Sequence, residues 1–364
     1  MKIATVVGER PQFIKANILS RVLRSFHKEL LIHTGKHYDH NMSDIFFQEL
    51  SIPTPDYNLG ICGTGHGKVT GAMLGALEDI FLNIKPEMVL VYGDTNSTLA
   101  GALAAVKLNI PICHIEAGVR GHTLSSPEEI NRVLTDRIST LLMCCTETAV
   151  TELAQEGRTE NVFLTGDLMY DALVFYQEQL DKVDIKLVDL AGDYAPMPSS
   201  SYYLLTCHRQ ENSNSDEPLF EILKAMGQLD YPTIYPVHPR NEARAKSLLA
   251  KLDNKNILLV KPVGYLTSLR LIRDAKKVVT DSGGVQREAW FFNRQCITIM
   301  DKAVWPETLI GNINQMSSAN ASEILAKLQV TPNFLNKGLP FGDGKAAEKI
   351  LGVLSSYAKD RGCG

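Results

Sequence analysis

Two glycines and a carboxylate stand close together in the stretch DSGGVQREA, residues 281–289. Ser282 is a good helix N-cap, and Gly283 and Gly284 permit a turn that brings backbone N–H groups close to a ligand. The helix dipole favours negative charge at this end, so a phosphate or pyrophosphate is the expected ligand. Glu288, on the second turn, could accept hydrogen bonds from ribose hydroxyls beside that anion. The stretch indicates a nucleotide site, with an ordinary capped helix as an equally good interpretation.

Three carboxylates of the first half lie at the ends of predicted strands or in the loops that follow. Asp94 follows MVLVYG, Glu116 ends ICHIE and Glu128 lies in SPEE. Converging carboxylates can divide into a proton donor and a proton acceptor. Each alone is better explained as a helix cap or a surface acid; Asp94, for example, could cap the helix that begins with TNST. As a group they indicate acid–base chemistry.

Two histidines also follow predicted strands, His208 in TCHRQEN and His238 in VHPR. Neither has a Cys, Asp or Glu at a metal-ligand spacing, which favours hydrogen bonding to a nucleotide or sugar over metal binding. The chain has neither G-x-G-x-x-G nor G-x-x-x-x-G-K-[ST], the fingerprints of dinucleotide and NTP sites. We therefore expect no metal and no cofactor.

Composition excludes several classes of protein. The net charge is −4, without a basic block, which argues against nucleic acid and membrane surfaces as partners. No apolar run is long enough to span a membrane and the N-terminus is too short in its apolar part for a signal peptide, so we expect a cytoplasmic protein. The seven cysteines fit reduced thiols, with Cys144 and Cys145 in a strand core.

Short β-branched runs alternate with amphipathic helical segments along the chain, which predicts parallel sheets wrapped by helices. A chain of 364 residues exceeds the roughly 250 to 300 residues that one core supports. A stretch rich in Pro, Gly and Ser, residues 183–200, interrupts the alternation. We predict an α/β fold of two Rossmann-like, doubly wound domains, 1–182 and 183–345. The final helix, 346–364, could close the second domain or cross back to the first.

Several long motifs resemble one family. They occur in the order VGERPQFIKA, VYGDTNSTLAGALAAVKLNIPICHIEAGVR, SPEEINRVLTD, TCHRQENS and VTDSGGVQREA. They are similar to the non-hydrolysing UDP-N-acetylglucosamine 2-epimerases, from residue 1 to about residue 345. The resemblance implies a glycosyltransferase-B type fold with an interdomain active site, a homodimer, and no metal or nicotinamide. It also implies reversible inversion at C2 of a UDP-linked 2-acetamido sugar, for surface polysaccharide precursors.

The resemblance implies a role for each candidate residue. Asp94, Glu116 and Glu128 match the acid and base candidates, without deciding which residue moves which proton. His208 matches a catalytic position at the departing diphosphate. The positions expected to contact substrate or UDP are Arg10, Lys15, Arg132, His238, Ser282, Gly283, Gly284 and Glu288.

Departures from the family pattern leave the substituents at C3 and C6 of the sugar undecided. The family motif G-T-R-P-E is here Gly8–Gln12, and the end of the family motif T-E-R-P-E is here Val304–Glu307. GKHYDHNM stands where the family has Q-H-R-E-M-L, a region in which some members bind an activating second substrate molecule. The short loop GHTLSSPEE looks more like the branch acting on UDP-2,3-diacetamido-2,3-dideoxyglucuronate, although Ser125 and Ser126 stand near the place where that branch often has an Arg. A glycosyltransferase of the same fold and a nucleotide-sugar sensor without turnover are two further hypotheses for the function.

Overall fold

The computed structural model describes residues 1–35, 49–50, 52–63, 65–123, 126–335 and 337–362. The chain divides into two units: unit 1 comprises Met1–Val174 and Leu339–Gly364, and unit 2 comprises Phe175–Gly338. The boundaries expected after residues 182 and 345 lie several residues downstream of these. The first change of unit falls inside a helix, whereas the Pro, Gly and Ser-rich stretch forms part of unit 2.

Unit 1 contains a seven-stranded parallel sheet with the strand order β3-β2-β1-β4-β5-β6-β7. Its strands are β1 (Lys2–Val7), β2 (Lys28–Gly35), β3 (Tyr57–Ile61), β4 (Met88–Tyr92), β5 (Ile112–Ala117), β6 (Leu141–Cys144) and β7 (Val162–Leu164). Its helices are α1 (Arg10–Leu23), α2 (His66–Ile84), α3 (Asn96–Lys107), α4 (Pro127–Ile138), α5 (Glu147–Gln155), α6 (Leu168–Tyr176, whose last two residues belong to unit 2) and the last helix of the chain.

Unit 2 contains a six-stranded parallel sheet with the order β12-β11-β10-β13-β14-β15 and a small antiparallel hairpin, β8-β9. Its strands are β8 (Leu187–Val188), β9 (Tyr194–Ala195), β10 (Tyr203–Thr206), β11 (Thr233–Pro236), β12 (Ile257–Val260), β13 (Val278–Thr280), β14 (Cys296–Ile299) and β15 (Asn314–Ser317). Its helices are α7 (Gln210–Ser213), α8 (Asp216–Gly227), α9 (Glu242–Leu252), α10 (Tyr265–Asp274), α11 (Gly283–Phe291) and α12 (Ala321–Gln329), with 3-10 turns at Gln177–Lys182, Pro239–Asn241 and Pro306–Asn312.

The central strands are buried along their whole length. Every residue of β4, MVLVY, and of β6, LLMC, is buried. Continuous apolar strands are typical of parallel sheets with helices on both faces, and the predicted α/β class with two Rossmann-like, doubly wound domains is confirmed.

Each sheet has one point where the strand order reverses, between β1 and β4 in unit 1 and between β10 and β13 in unit 2. In open α/β sheets, ligands bind beyond the carboxyl ends of the strands at this point. Asp94 lies two residues beyond β4, and Asp281 follows β13 directly. Residues of the predicted acid–base site and of the predicted nucleotide site therefore lie at the carboxyl ends of their strands.

The last helix, α13 (Ala346–Asp360), packs against α1 in unit 1. Asp171 in α6 fixes its start by accepting a hydrogen bond from the backbone N–H of Ala347 at 2.8 Å. Of the two possibilities left open by the sequence, the structure has the helix with the first domain. Within the described residues, no helix has the length and apolar content needed to cross a membrane.

Candidate active site

Glu116 is held in an unusual backbone conformation near the end of β5. Its φ is +70°, in the left-handed region that is costly for a residue with a side chain, and the pairing of β5 with β6 shifts register here. The ammonium of Lys15 donates to its Oε2 at 2.5 Å, and both side chains are buried. Such strain is typical of functional sites, where the surrounding structure holds it in place.

The loop after β4 packs over this ion pair. Gly93 has a φ of +62°, and a Cβ added there would lie 3.5 Å from Oε1 of Glu116 and 3.8 Å from Nζ of Lys15. Buried His114 contacts the same loop, since its Nε2 lies 2.7 Å from the carbonyl oxygen of Gly93.

Asp94 does not cap the next helix, because Thr95 is the N-cap of α3. The carboxylate of Asp94 instead accepts a short hydrogen bond from Nη2 of Arg132, whose Nη1 donates to Glu129 at 2.8 Å. Burial opposes the charge of Arg132, but attraction to the two carboxylates prevails and raises its pKa. Arg132 thus joins the loop after β4 to helix α4, as a side chain between two acids.

The two adjacent glutamates at the start of α4 differ in environment. Glu128 is exposed and accepts from Oγ of Ser126 at 2.5 Å. Glu129 is buried and accepts from the backbone N–H groups of Gly121 and His122. Burial opposes ionisation of Glu129, yet these hydrogen bonds and Arg132 hold its pKa below the ordinary value. Glu129 therefore anchors the loop, and Glu128 remains accessible.

A buried network lies behind these residues. Asp136 accepts from Arg120 at 2.8 Å and from the backbone N–H of Gly118 at 3.0 Å, and lies 2.6 Å from Nδ1 of His114. Burial raises the pKa of Asp136, but attraction and hydrogen bonding to His114 and Arg120 bring it below the ordinary value. Sequence reasoning missed Asp136, because an acid in the last turns of a helix carries no motif.

Gln12 explains one departure from the family pattern. Its amide nitrogen donates to the carbonyl of Tyr92 at 2.7 Å and to Oγ1 of Thr98 at 2.9 Å, while its oxygen accepts from the backbone N–H of Gly8 at 2.8 Å. A glutamate could not donate the first two. Gln12 thus fixes the loop that carries Asp94, and Arg10 lies exposed at the start of α1.

A thiol and a second acid lie beside Glu116. A carboxylate oxygen of Glu116, the sulfur of Cys145 and a carboxylate oxygen of Asp167 lie within 4.8 Å of one another, and all three residues are buried. Cys145 is buried as expected, but strand β6 ends at Cys144, so Cys145 lies one residue beyond the strand. These ligand types could hold a metal ion, but Lys15 already supplies a cation to Glu116.

In unit 2, Ser282 caps α11 as predicted, with its Oγ accepting from the N–H of Val285 at 3.4 Å. Neither Gly283 nor Gly284 adopts a positive φ, so the backbone conformation of this turn does not itself require glycine. A Cβ would come no closer than 3.9 Å to its neighbours at Gly283 and 3.8 Å at Gly284. A small side chain at either position would therefore make ordinary van der Waals contacts. Glu288 is buried on the second turn.

Asp281 joins the carboxyl ends of β10 and β13. Its buried carboxylate accepts from the backbone N–H groups of His208 and Arg209 at 2.8 to 3.0 Å and from the side chain of Asn212 at 3.2 Å. Nδ1 of His208 lies 3.1 Å from Oδ1 of Asp281. Burial opposes ionisation, but His208 and these amides hold the pKa of Asp281 below its ordinary value. The sequence contained a signal, a carboxylate between a strand and the glycines, that was given no role.

His238 stacks on His208, with ring centroids 6.5 Å apart and an interplanar angle of 22°. Its Nδ1 accepts from the backbone N–H of Arg240 at 3.4 Å. Burial, and then the charges of Arg240 and His208, lower the pKa of His238. The two predicted histidines therefore lie together near the start of α11.

The loop Val304–Glu307, one of the departures from the family pattern, packs on α11. The guanidinium carbon of Arg287 lies 4.0 Å from the ring centroid of Trp305, and its Nε donates to the carbonyl of Gly283 at 3.3 Å. Glu307 is buried, and neither of its carboxylate oxygens has a hydrogen-bond partner among the described residues. The predictions made for Ser125 and for GKHYDHNM beyond Gly35 concern residues outside the described ranges.

Residues 23–355 match the family model described as UDP-N-acetylglucosamine 2-epimerase. The chain belongs to this family. This family is the one that the motifs indicated. A Methanococcus maripaludis protein described as a UDP-N-acetylglucosamine 2-epimerase homolog is 45% identical over 97% of this chain and 99% of its own length. The UDP-2,3-diacetamido-2,3-dideoxy-D-glucuronate 2-epimerase of Pseudomonas aeruginosa is 40% identical over 98% of this chain and 99% of its own.

The fold is similar to solved members of the family. The crystal structure of Methanocaldococcus jannaschii UDP-GlcNAc 2-epimerase in complex with UDP-GlcNAc and UDP has a TM-score of 0.88 and 38% identity, and the match covers 98% of this chain and 100% of that one. This likeness agrees with the predicted glycosyltransferase-B type fold.

Proposed function

We propose that this member of the family interconverts UDP-GlcNAc and UDP-ManNAc by inversion at C2. The observation that carries the proposal is Glu116, a carboxylate held in a left-handed conformation beside the buried Lys15, in a chain that matches the epimerase family over residues 23–355. A base at the end of a strand, fixed before substrate arrives, suits proton transfer at carbon.

The proposed reaction has two half-steps. A carboxylate takes the proton from C2 as the C1–O bond breaks, which releases UDP and leaves a 2-acetamidoglycal. UDP then adds back to C1 while a proton is delivered to the opposite face of C2. The base then loses its proton to water and the acid regains one from water, so the net change is inversion alone. Two proton positions are needed, one for each face, and Asp94, Glu116 and Glu128 are the proposed groups.

The geometry ranks these three acids differently. Glu116 is buried and fixed by Lys15, while Asp94 is partly accessible and fixed by Arg132. Both can therefore meet a substrate in a set geometry. Glu128 is exposed, with Ser126 on one oxygen, and its reach is correspondingly wider. We propose that Glu116 serves one face of C2 and that Asp94 or Glu128 serves the other.

We propose that unit 2 binds UDP. The partly exposed first turn of α11, Ser282 to Gly284, offers backbone N–H groups and a helix dipole to the diphosphate. Glu288 would accept from the ribose, His208 would contact the nucleotide sugar, and His238 would contact the departing diphosphate. Arg10 and Lys15 would add positive charge as UDP leaves, when negative charge on the diphosphate is greatest.

The relatives leave one alternative substrate open. The Pseudomonas aeruginosa relative acts, by its name, on a diacetamido-glucuronate. Proton NMR of the product from a panel of UDP-sugars decides between them, because inversion at C2 changes the coupling between H1 and H2. We expect the UDP-ManNAc signal from UDP-GlcNAc. Turnover of the diacetamido-glucuronate alone would favour the alternative, and release of one UDP per acceptor sugar would indicate a glycosyltransferase. Absence of any product would contradict the proposed function.

We further propose a cytoplasmic homodimer that supplies a precursor for surface polysaccharides, as the resemblance implies. Ile130 and Leu134, one turn apart on α4, are 41% and 45% exposed, which supports a partner on that helix face. Light scattering after size exclusion tests this. Two chains per particle are expected, with dissociation on Ile130→Glu plus Leu134→Glu.

A further inference from the structure

In the stacked pair His208 and His238, the ring nitrogen Nδ1 faces an acceptor in one residue and a donor in the other. Nδ1 of His208 lies 3.1 Å from Oδ1 of Asp281, and a carboxylate can only accept. Nδ1 of His238 lies 3.4 Å from the backbone N–H of Arg240, which can only donate. A neutral imidazole carries one proton, and the partner of one nitrogen decides which nitrogen holds it.

We propose that these partners fix the two rings in opposite tautomers. Asp281 holds the proton of His208 on Nδ1 and leaves its Nε2 as an acceptor. The backbone N–H of Arg240 keeps Nδ1 of His238 as an acceptor and so places the proton on Nε2. Asp281 and the Arg240 amide are then positioning groups, each acting through a histidine.

Other features of unit 2 support this assignment. Asp281 is buried, is held by three other donors and therefore cannot turn away from His208. Burial and the charges of Arg240 and His208 lower the pKa of His238, which favours its neutral ring. Asp281 also precedes Ser282, so the tautomer of His208 is set by the same segment that begins the proposed diphosphate site.

The consequence, which rests on the proposed function, is a division of roles between two rings that look alike in the sequence. His238 would donate from Nε2–H to the diphosphate of UDP. His208 would present Nε2 as an acceptor for a hydroxyl of the nucleotide sugar. The pair would thus offer the ligand one hydrogen-bond acceptor, on His208, and one donor, on His238, side by side.

Nitrogen NMR on the ¹⁵N-histidine-labelled full chain tests the tautomers directly. At pH 8, where imidazole is ordinarily neutral, we expect a protonated, pyrrole-type Nδ1 in His208 and a pyrrole-type Nε2 in His238. Spectra of the His208→Gln and His238→Gln variants assign the signals. Asp281→Asn should abolish the preference in His208 and leave His238 unchanged. A pyrrole-type Nε2 in His208, or the same tautomer in both rings, overturns the proposal.

Calorimetric titration with UDP tests the role of His238 by mimicry. A glutamine amide can replace Nε2–H, whereas an asparagine amide reaches only the position of Nδ1. His238→Asn should weaken UDP binding by about tenfold or more, and His238→Gln by much less. Uridine, which lacks the diphosphate, should bind both variants alike. Equal losses of UDP affinity in the two variants overturn the assigned donor. If the unaltered chain fails to bind UDP, the proposed function fails, and the NMR result still decides the tautomers.

Discussion

Nζ of Lys15, in the helix that follows β1, lies 2.5 Å from Oε2 of Glu116, near the end of β5, and both side chains are buried. The two residues are 101 positions apart, so the fold brings the pair together. A buried ion pair contributes little net stability, but removal of one partner leaves an uncompensated charge.

Lys15→Met should therefore destabilise the chain by about 3 kcal/mol. Adding Glu116→Gln should recover much of that loss, because the buried charge is then gone. Urea unfolding of the two single variants and the double variant measures the coupling. A double variant destabilised by the full sum of the single effects would contradict a direct pair.

The backbone of Glu116 gives a second prediction. Because its φ is +70°, Glu116→Gly should be more stable than Glu116→Ala by about 1 kcal/mol. Ala117→Gly, at the neighbouring strand position, is the control and should destabilise. Thermal unfolding compares all three. If the alanine variant at 116 proves the more stable, the backbone there is not strained.

Arg132 gives a prediction that separates binding from turnover. Arg132→Met leaves Asp94 and Glu129 without their shared guanidinium, so epimerisation should fall by about a hundredfold or more. Affinity for UDP should change little, since most of the proposed UDP residues are in unit 2 and the unit 1 cations Arg10 and Lys15 are unaltered. Arg132→Lys should recover part of the rate. Steady-state kinetics and UDP titration supply the comparison, and a parallel loss of UDP affinity would place Arg132 at the nucleotide instead.

Asp171 gives a prediction about pH and stability. Burial raises its pKa from 3.8 to about 6, and its Oδ1 has no hydrogen-bond partner in the part of the chain that the structure describes. The folded chain thus holds this proton more tightly than the unfolded chain, and the stability gained is lost as pH rises from 3.8 through about 6. Relative to Asp171→Asn, the unaltered chain should gain about 1 kcal/mol between pH 7 and pH 5.

Urea unfolding at the two pH values measures this difference. Asp343→Asn is the control, because that exposed acid has a lowered pKa and does not titrate in this range. The same pH dependence in both comparisons would show that Asp171 is not its source.

The central strands could be predicted because buried parallel strands are continuous apolar runs. Strands β3, YNLGI, and β15, NQMS, lack such a run, and both lie at sheet edges. An edge strand has only one neighbour and tolerates glycine and polar side chains, so its sequence need not contain an apolar run.

The candidate site was predictable in part. Residues at the ends of apolar strands, such as Glu116 and Asp281, can be found because the sheet topology places strand ends together. Their partners cannot, since Asp136 and Arg132 come from the faces of a helix and reach the site only through tertiary packing. The accessibility of Glu128 and the burial of Glu129 likewise depend on where one loop lies, which adjacent positions in a sequence do not reveal.

The central claim is that Glu116 moves a proton at C2 of a UDP-2-acetamido sugar. Incubation with UDP-GlcNAc in deuterated water, followed by proton NMR, tests it most directly. We predict that deuterium replaces the C2 hydrogen without any acceptor, and that Glu116→Gln stops this replacement while UDP still binds. Retention of the C2 hydrogen by the unaltered chain, or undiminished exchange in the variant, would contradict the account.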